Sequence, residues 1–360
     1  MVVNPIAGMG GRVGLKGTDG DAVLLRAIEL GATPVAEGRV ARALGRLDAG
    51  VQVLAGAGPM GAGLAAGHGL RTEAVGRARE RTRASDTRDM AAEMADRGID
   101  LLLFAGGDGT ACDVHDAVGD TVPVLGIPTG VKMHSGVFAA GPEAAGEVAA
   151  AYLRHPGRLV DAEVLDLDED AARHGRIAGR LHGRVRVPAE PTRMVAAKGA
   201  APRASDADLD ALCREIADEL DPGRLYLLGP GATTGRILDR LGVPGTLLGV
   251  DAVRDGRLVG ADLREDQLLG LLEPGATVIA GVVGGQGMLF GRGNQQLSAE
   301  VLRRIEPDRI VVVAARDKLL ALDPPWLRVD TGDPEVDRRL SGHRRVRCSP
   351  RGSIVLKVTT

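Results

Sequence analysis

Leu101-Leu102-Leu103-Phe104-Ala105-Gly106-Gly107-Asp108-Gly109-Thr110 is the stretch on which the fold turns. Its apolar run from Ile99 to Ala105 reads as a strand buried on both faces, the kind found in the parallel sheets of α/β proteins. The strand runs into glycines that let backbone N–H groups close on phosphate oxygens, and a helix expected from about Thr110 adds its positive end. An aspartate inside such a turn can accept a hydroxyl proton, or hold magnesium beside the phosphates. A glycine turn in which Asp108 merely caps the helix uses the same residue types.

Working outward, strands alternate with helices on both sides. Upstream stand a strand over 1–3, a helix over 21–30 stopped by Gly31, a strand over 51–55 and a helix over about 86–97. A strand of three residues is short for a sheet interior and suggests an edge strand, or a start further upstream. Downstream a strand over 122–127 ends at Pro128, and a helix runs through Tyr152. The charged stretch over 161–188 reads as hairpins or an irregular connector, with no chemistry assigned. Its acidic residues Asp161, Glu163, Asp166, Asp168, Glu169 and Asp170 read as a solvated face. The α/β rhythm returns with a helix to Leu220, a strand over 225–228, a helix through Leu241, and strands over 246–250, 277–280, 310–314 and 353–358. The expected organisation is an α/β nucleotide-binding domain over 1–140, a substrate-binding domain over 141–320, and a terminal segment over 321–360 packing back on the body.

Composition narrows the partners. With 52 glycines in 360 residues, tight turns and close backbone approaches should be frequent. Aromatics at 2% supply few stacking platforms for single-stranded nucleic acid, and a net charge of -3 offers no bulk attraction to phosphate backbones or anionic membranes. Cys112, Cys213 and Cys348 lack the spacing of a zinc site or redox pair, so reduced thiols in a cytoplasmic protein are expected. No apolar run is long enough to span a bilayer.

Three further segments carry candidate ligands. The loop over 128–135 sets Thr129, Gly130, Lys132, His134 and Ser135 close together, with Lys132 suited to a phosphate and His134 and Ser135 to a hydroxylated acceptor. Gly229 to Thr234 offers Gly231, Thr233 and Thr234 ahead of a helix, suited to an anion or to plain helix capping. Gly284 to Gln296 presents Gly285, Gln286, Asn294 and Gln295, whose amides suit a base edge or carboxamide. Two tempting motifs weigh less. Gly56-Ala57-Gly58-Pro59-Met60-Gly61 fits a dinucleotide fingerprint, but Pro59 removes a donor and later glycines weaken the following helix, so a flexible loop is expected. Gly14-Leu15-Lys16-Gly17 lacks the Gly-Lys-Ser/Thr of a P-loop. His115 is expected on a helix face rather than as a ligand.

Taken in order, these motifs resemble one superfamily. Gly106-Gly107-Asp108-Gly109-Thr110 after an apolar strand is similar to the signature of NAD kinases, diacylglycerol and sphingosine kinases and phosphofructokinases. Asn4-Pro5-Ile6-Ala7-Gly8 resembles the Asn-Pro-x-x-Gly opening of the NAD and lipid kinases. Pro128 to Ser135, Gly229 to Thr234, and Gly284 to Gln296 resemble the ATP-NAD-kinase-like branch that includes the acetoin-catabolism X proteins. The resemblance implies an NAD kinase-like fold, a Rossmann-like parallel-sheet domain followed by a second, mixed domain. It implies phosphorylation of NAD or a related small molecule by ATP or polyphosphate with Mg2+. Asp108 would be catalytic, Gly106, Gly107, Gly109 and Thr110 would hold donor phosphates, Asn4 and Gly8 would border the nucleotide, and the chain would form a homo-oligomer.

Departures leave the acceptor open. The Asn-Glu pair and the Thr-Gly-Ser-Thr-Ala-Tyr segment of typical NAD kinases are missing, with Gly231-Ala232-Thr233-Thr234-Gly235 the nearest stretch. A kinase of another small-molecule or lipid acceptor and a non-catalytic nucleotide-binding accessory protein stand as alternatives, with a dehydrogenase the weakest.

Overall fold

The computed structural model describes every residue except 16, 19, 80, 132, 168–178, 191–192, 195–205 and 284–285. The chain forms two compact units, one of Met1–Met9 with Gly17–Lys198 and the other of Gly10–Lys16 with Gly199–Thr360.

The first unit contains β1 (Val2–Val3), α1 (Asp21–Glu29), α2 (Ala36–Leu44), β2 (Gln52–Gly56), α3 (Ala62–Gly67), β3 (Arg71–Val75), α4 (Ala84–Asp96), β4 (Leu102–Gly106), α5 (Asp108–Val118), β5 (Val124–Pro128), α6 (Pro142–Arg154), β6 (Leu159–Leu167) and β7 (Gly179–Pro188). Strands β1, β4 and β5 pair in parallel in that spatial order, and β2 pairs in parallel with β3. The Gly56 N–H donates to the Met1 carbonyl at 3.0 Å, laying β2 beside β1. The resulting order, β3-β2-β1-β4-β5, is that of the first five strands of a Rossmann-type sheet. β1 is therefore interior, not at an edge. Its short length suffices because β4 and β2 satisfy its backbone from both sides.

Both faces of this sheet are covered, which is why β4 shows no polar alternation. Leu102 and Phe104 point into a core with Met90, Met94, Val114 and Phe138, while Leu103 and Ala105 join Val40, Leu44 and Val148 on the opposite face. Phe138 meets Phe104 edge to face at 5.6 Å between ring centroids. Gly126 makes room for it, since a Cβ there would lie 2.4 Å from the Phe138 ring.

The turn at Gly56 is more ordered than the expected flexible loop. Gly58–Met60 forms a 3-10 turn, and α3 follows for six residues despite its glycines. Its alanines favour helix and Ala65 is buried in the core beside Val53 and Leu70. In the stretch read as hairpins or a connector, β6 and β7 pair as an antiparallel ribbon, and 168–178, with Asp168, Glu169 and Asp170, lie outside the described residues. The anticipated division at 140/141 does not coincide with the compact units, because α6 packs its Ala145, Val148 and Ala149 into the core of the first.

The second unit contains α7 (Asp206–Asp218), β8 (Tyr226–Leu228), α8 (Ala232–Leu241), β9 (Asp251–Arg254), β10 (Arg257–Gly260), α9 (Glu265–Leu271), β11 (Thr277–Gly281), β12 (Met288–Phe290), α10 (Ala299–Arg303), β13 (Ile310–Val313), α11 (Arg316–Leu320), β14 (Trp326–Val329), α12 (Pro334–Leu340), β15 (Gly342–Ser349) and β16 (Gly352–Thr359). Nine strands form one mixed sheet in the order β10-β9-β8-β11-β13-β15-β16-β14-β12. Its run from β8 to β15 is parallel, and the hairpins β9–β10 and β15–β16 are antiparallel. Residues 321–360 are thus woven into this sheet rather than laid back upon it.

The strand expected over 246–250 is a loop. The buried carboxylate of Asp251 gathers it, accepting from Thr246 N at 2.7 Å, Thr246 Oγ1 at 2.8 Å and Asp262 N at 2.9 Å. A segment wound around one carboxylate cannot also extend into a ladder, and pairing starts at Asp251 instead. No helix among the described residues is long and apolar enough to cross a membrane.

Candidate active site

The sharp turn from β4 into α5 places Asp108 at the first helical position, with Gly107 as the N-cap residue. A carboxylate at this end of a helix is favoured by the helix dipole. Asp108 is only 6% exposed, yet its side chain does not cap its own helix. Oδ2 accepts the His134 N–H at 2.7 Å, and Oδ1 accepts the Ser135 N–H at 3.0 Å. The capping alternative considered from sequence is therefore replaced by a clamp between α5 and a loop 26 and 27 residues away.

Close backbone approaches bring that loop into place. The Gly106 carbonyl accepts the N–H groups of Thr129 and Gly130, each at 3.0 Å. Gly130 and Gly107 touch so closely that a Cβ on Gly130 would lie 2.7 Å from Gly107 Cα. Gly8, at φ +80°, leaves room for the Thr129 carbonyl, which a Cβ there would approach to 2.1 Å. Asn4 Nδ2 donates to Thr110 Oγ1 at 3.1 Å, and the Thr110 side chain rests over Gly106. The structure thus brings together Asn4, Gly8, Gly106, Gly107, Asp108, Gly109, Thr110, Thr129, Gly130, His134 and Ser135. Lys132 lies outside the described residues.

The ribbon supports this arrangement from behind. Ser135 Oγ accepts the Leu165 N–H at 2.9 Å, and Gly136 N donates to the Glu163 carbonyl at 2.9 Å. β6 thereby holds the loop whose amides hold Asp108. The sequence carries no local sign of this role, because both ribbon groups are main-chain atoms whose partners are distant.

The chemical capacity of the site follows from these commitments. The first intrahelical bond of α5 is Ala111 N to Gly107 O, so the amides of Asp108, Gly109 and Thr110 precede the helix ladder. Gly109 is exposed and carries no side chain to shield that end. This donor set fits a phosphate group. An ionised carboxylate offers about four lone-pair positions, so two amide contacts leave Asp108 able to accept a hydroxyl proton or meet a hard cation. His134 Nδ1 is also near, 3.5 Å from Asp108 Oδ2.

The candidates in the second unit make contacts within that unit. Gly231 takes φ +131° and donates its N–H to the Leu247 carbonyl at 2.9 Å. Thr234 turns its hydroxyl back to Gly231 O at 2.9 Å, and no side chain caps α8. Thr233 is half-buried, with its carbonyl 3.5 Å from Cys213 Sγ. Asn294 spends its amide on its own loop, accepting from Gly291 N at 3.0 Å and donating to Leu289 O at 2.8 Å. Gln286 is buried, Gln295 packs against Gly11 of the same unit, and Gly285 lies outside the described residues.

One cluster has no counterpart in the sequence reading. His115, expected simply on the face of α5, stands with Asp116 beside His182 of β7. His182 Nε2 is 2.7 Å from Asp116 Oδ1, and this hydrogen bond, followed by the one from His115, holds the Asp116 carboxyl below the ordinary aspartate range. Adjacent His115 and Asp116 were visible on one helix, but nothing in the chain's spacing points to residue 182. Burial pushes the Cys112 thiol up to about 12 and the Cys213 thiol up to about 11, so neither is a reactive nucleophile near neutral pH.

Two family models match this chain. Residues 1–156 match the ATP-NAD kinase N-terminal domain, and residues 222–358 match the ATP-NAD kinase C-terminal domain. No curated protein and no solved structure matches it significantly.

Proposed function

The chain belongs to the ATP-NAD kinase family, and from that premise we propose that it transfers a phosphoryl group from ATP, or polyphosphate, to a hydroxyl of NAD, forming NADP. The observation that carries this reading is the placement of Asp108: buried, at the amino end of α5, and oriented by two loop amides. In the proposed roles, the spare lone pairs of Asp108 take the proton of the accepting hydroxyl. The amides at Asp108, Gly109 and Thr110 receive phosphate charge, and the glycine contacts keep the two loops in register. Bound magnesium would neutralise phosphate charge, with Asp108 as its protein ligand beside phosphate oxygens and water. Thr129, Gly130, Lys132, His134 and Ser135 supply acceptor contacts. Within the second unit, Gly231, Thr233, Thr234, Gly285, Gln286, Asn294 and Gln295 are the proposed substrate contacts. The three free thiols suit a reducing, cytoplasmic setting.

A second reading has its own observation. Because both Asp108 oxygens accept loop amides, the carboxylate can serve as a clamp in a protein that binds nucleotide without turning it over. The test is NADP formation from ATP, magnesium and NAD by wild type and Asp108→Asn, with ATP affinity and melting temperature measured on both. Asparagine would present an N–H to one of the two loop amides, so some destabilisation, about 1–3 kcal/mol, accompanies the substitution. A fall in kcat of about 10²–10⁴ with ATP affinity nearly kept supports catalysis by Asp108. Equal turnover in both proteins removes that role. ATP binding by wild type without NADP formation means a different acceptor.

A further inference from the structure

We propose that His115, Asp116 and His182 form a binding site for one transition-metal dication of the Zn2+ class, separate from the phosphate turn. One ligand atom from each residue can be chosen so that all lie within 4.8 Å of one another. His115 Nδ1 is 3.4 Å from Asp116 Oδ1, and His182 Nε2 is 2.7 Å from the same oxygen. Tetrahedral zinc, with bonds of about 2.0–2.1 Å, sets neighbouring ligand atoms roughly 3.3–3.4 Å apart. Of the three edges, His115–Asp116 already has that length, Asp116–His182 needs to open by about 0.6–0.7 Å, and His115–His182, within 4.8 Å, needs to close by at most about 1.5 Å. His115 and His182 are about a quarter exposed, and Asp116 nearly half, so a water can complete the fourth position.

The backbone around the cluster is shaped for it. Val164 of β6 pairs with Gly183, and Leu165 pairs with Leu181, so His182 is the extra residue of a β-bulge. Bulges re-aim side chains, and this one sends the imidazole toward α5. Gly183 then leaves space for the second imidazole, since a Cβ there would lie 2.1 Å from His115 Nε2. Two imidazoles and a carboxylate favour zinc or a neighbouring transition metal over magnesium, which prefers a full oxygen shell. Asp116 lies eight residues beyond Asp108 on α5, about 12 Å along the helix axis. An ion here pins β7 to α5 beside the bulge at Leu165, whose N–H is held by Ser135, a partner of Asp108. Its place is that of a brace for the clamp.

The test is calorimetric titration of the chelator-treated protein with Zn2+ in excess Mg2+, together with the visible spectrum of the Co2+-loaded protein. We expect one equivalent of Zn2+ and a tetrahedral Co2+ spectrum. His182→Gln should weaken binding by at least about 100-fold, since even outer partners of metal ligands are worth about 10–100-fold. Gly183→Ala keeps all three ligand side chains but displaces the His115 ring, and should also weaken binding. The double variant His68→Gln/His155→Gln, at exposed histidines elsewhere, should bind like wild type. Circular dichroism confirms that each variant is folded. No Zn2+ uptake by wild type, or uptake unchanged by His182→Gln, overturns the proposal.

Discussion

Two turns in this chain share one local grammar. After β4 and again after β8, an apolar strand ends in glycine and a helix begins. At the first, the helix opens with a buried carboxylate held by amides from a distant loop, and glycines on three segments let the backbones meet. At the second, Gly231 bonds the Leu247 carbonyl and Thr234 bonds back to Gly231. Strand-glycine-helix is thus a way of ending a strand. At the first turn, the opening strand and the loop over 128–135 also converge on it.

The comparison breaks most visibly at Gly8. Gly8→Ala puts a Cβ 2.1 Å from the Thr129 carbonyl at a positive φ, and should cost more than about 3 kcal/mol in denaturant titration. A cost below about 1 kcal/mol would mean that the three glycine-bearing segments are not tightly registered. Next comes Asp108→Ala, which strips both loop amides of their acceptor and should lose about 2–6 kcal/mol by the same measurement, besides its effect on turnover. In the second turn, Thr234→Val keeps the shape and loses one hydrogen bond, for about 0.5–1.5 kcal/mol. Gly235→Ala, with nothing within 4 Å of its Cβ and a place inside α8, should stabilise by about 0.5–1 kcal/mol and leave turnover unchanged. The smallest effect is at Cys112 and Cys213. With thiols pushed up to about 12 and about 11, both should react far more slowly with a disulfide reagent at pH 8 in the native protein than in urea. Fast native labelling at either position would show that its surroundings open.

Much of the first turn was legible because its signals are local. An unbroken apolar run announces a strand covered on both faces, and Gly106-Gly107-Asp108-Gly109-Thr110 announces a tight turn into a helix. The misreadings share a cause. Val2–Val3 looked like an edge because strand length alone cannot reveal neighbours on both sides. Residues 246–250 looked like a strand because nothing nearby shows that the Asp251 carboxylate will wind them into a loop.

By itself the sequence determined the strand-helix alternation, the glycine turn carrying Asp108 and the family, since apolar periodicity and turn chemistry act over a few residues. Only the tertiary structure decided which amides hold Asp108, that β6 steadies them through Ser135 and Gly136, and that His182 meets His115 and Asp116. Those are contacts between residues 26 to 67 positions apart. They follow from which surfaces bury together, and backbone donors at such range leave no mark in residue type or spacing.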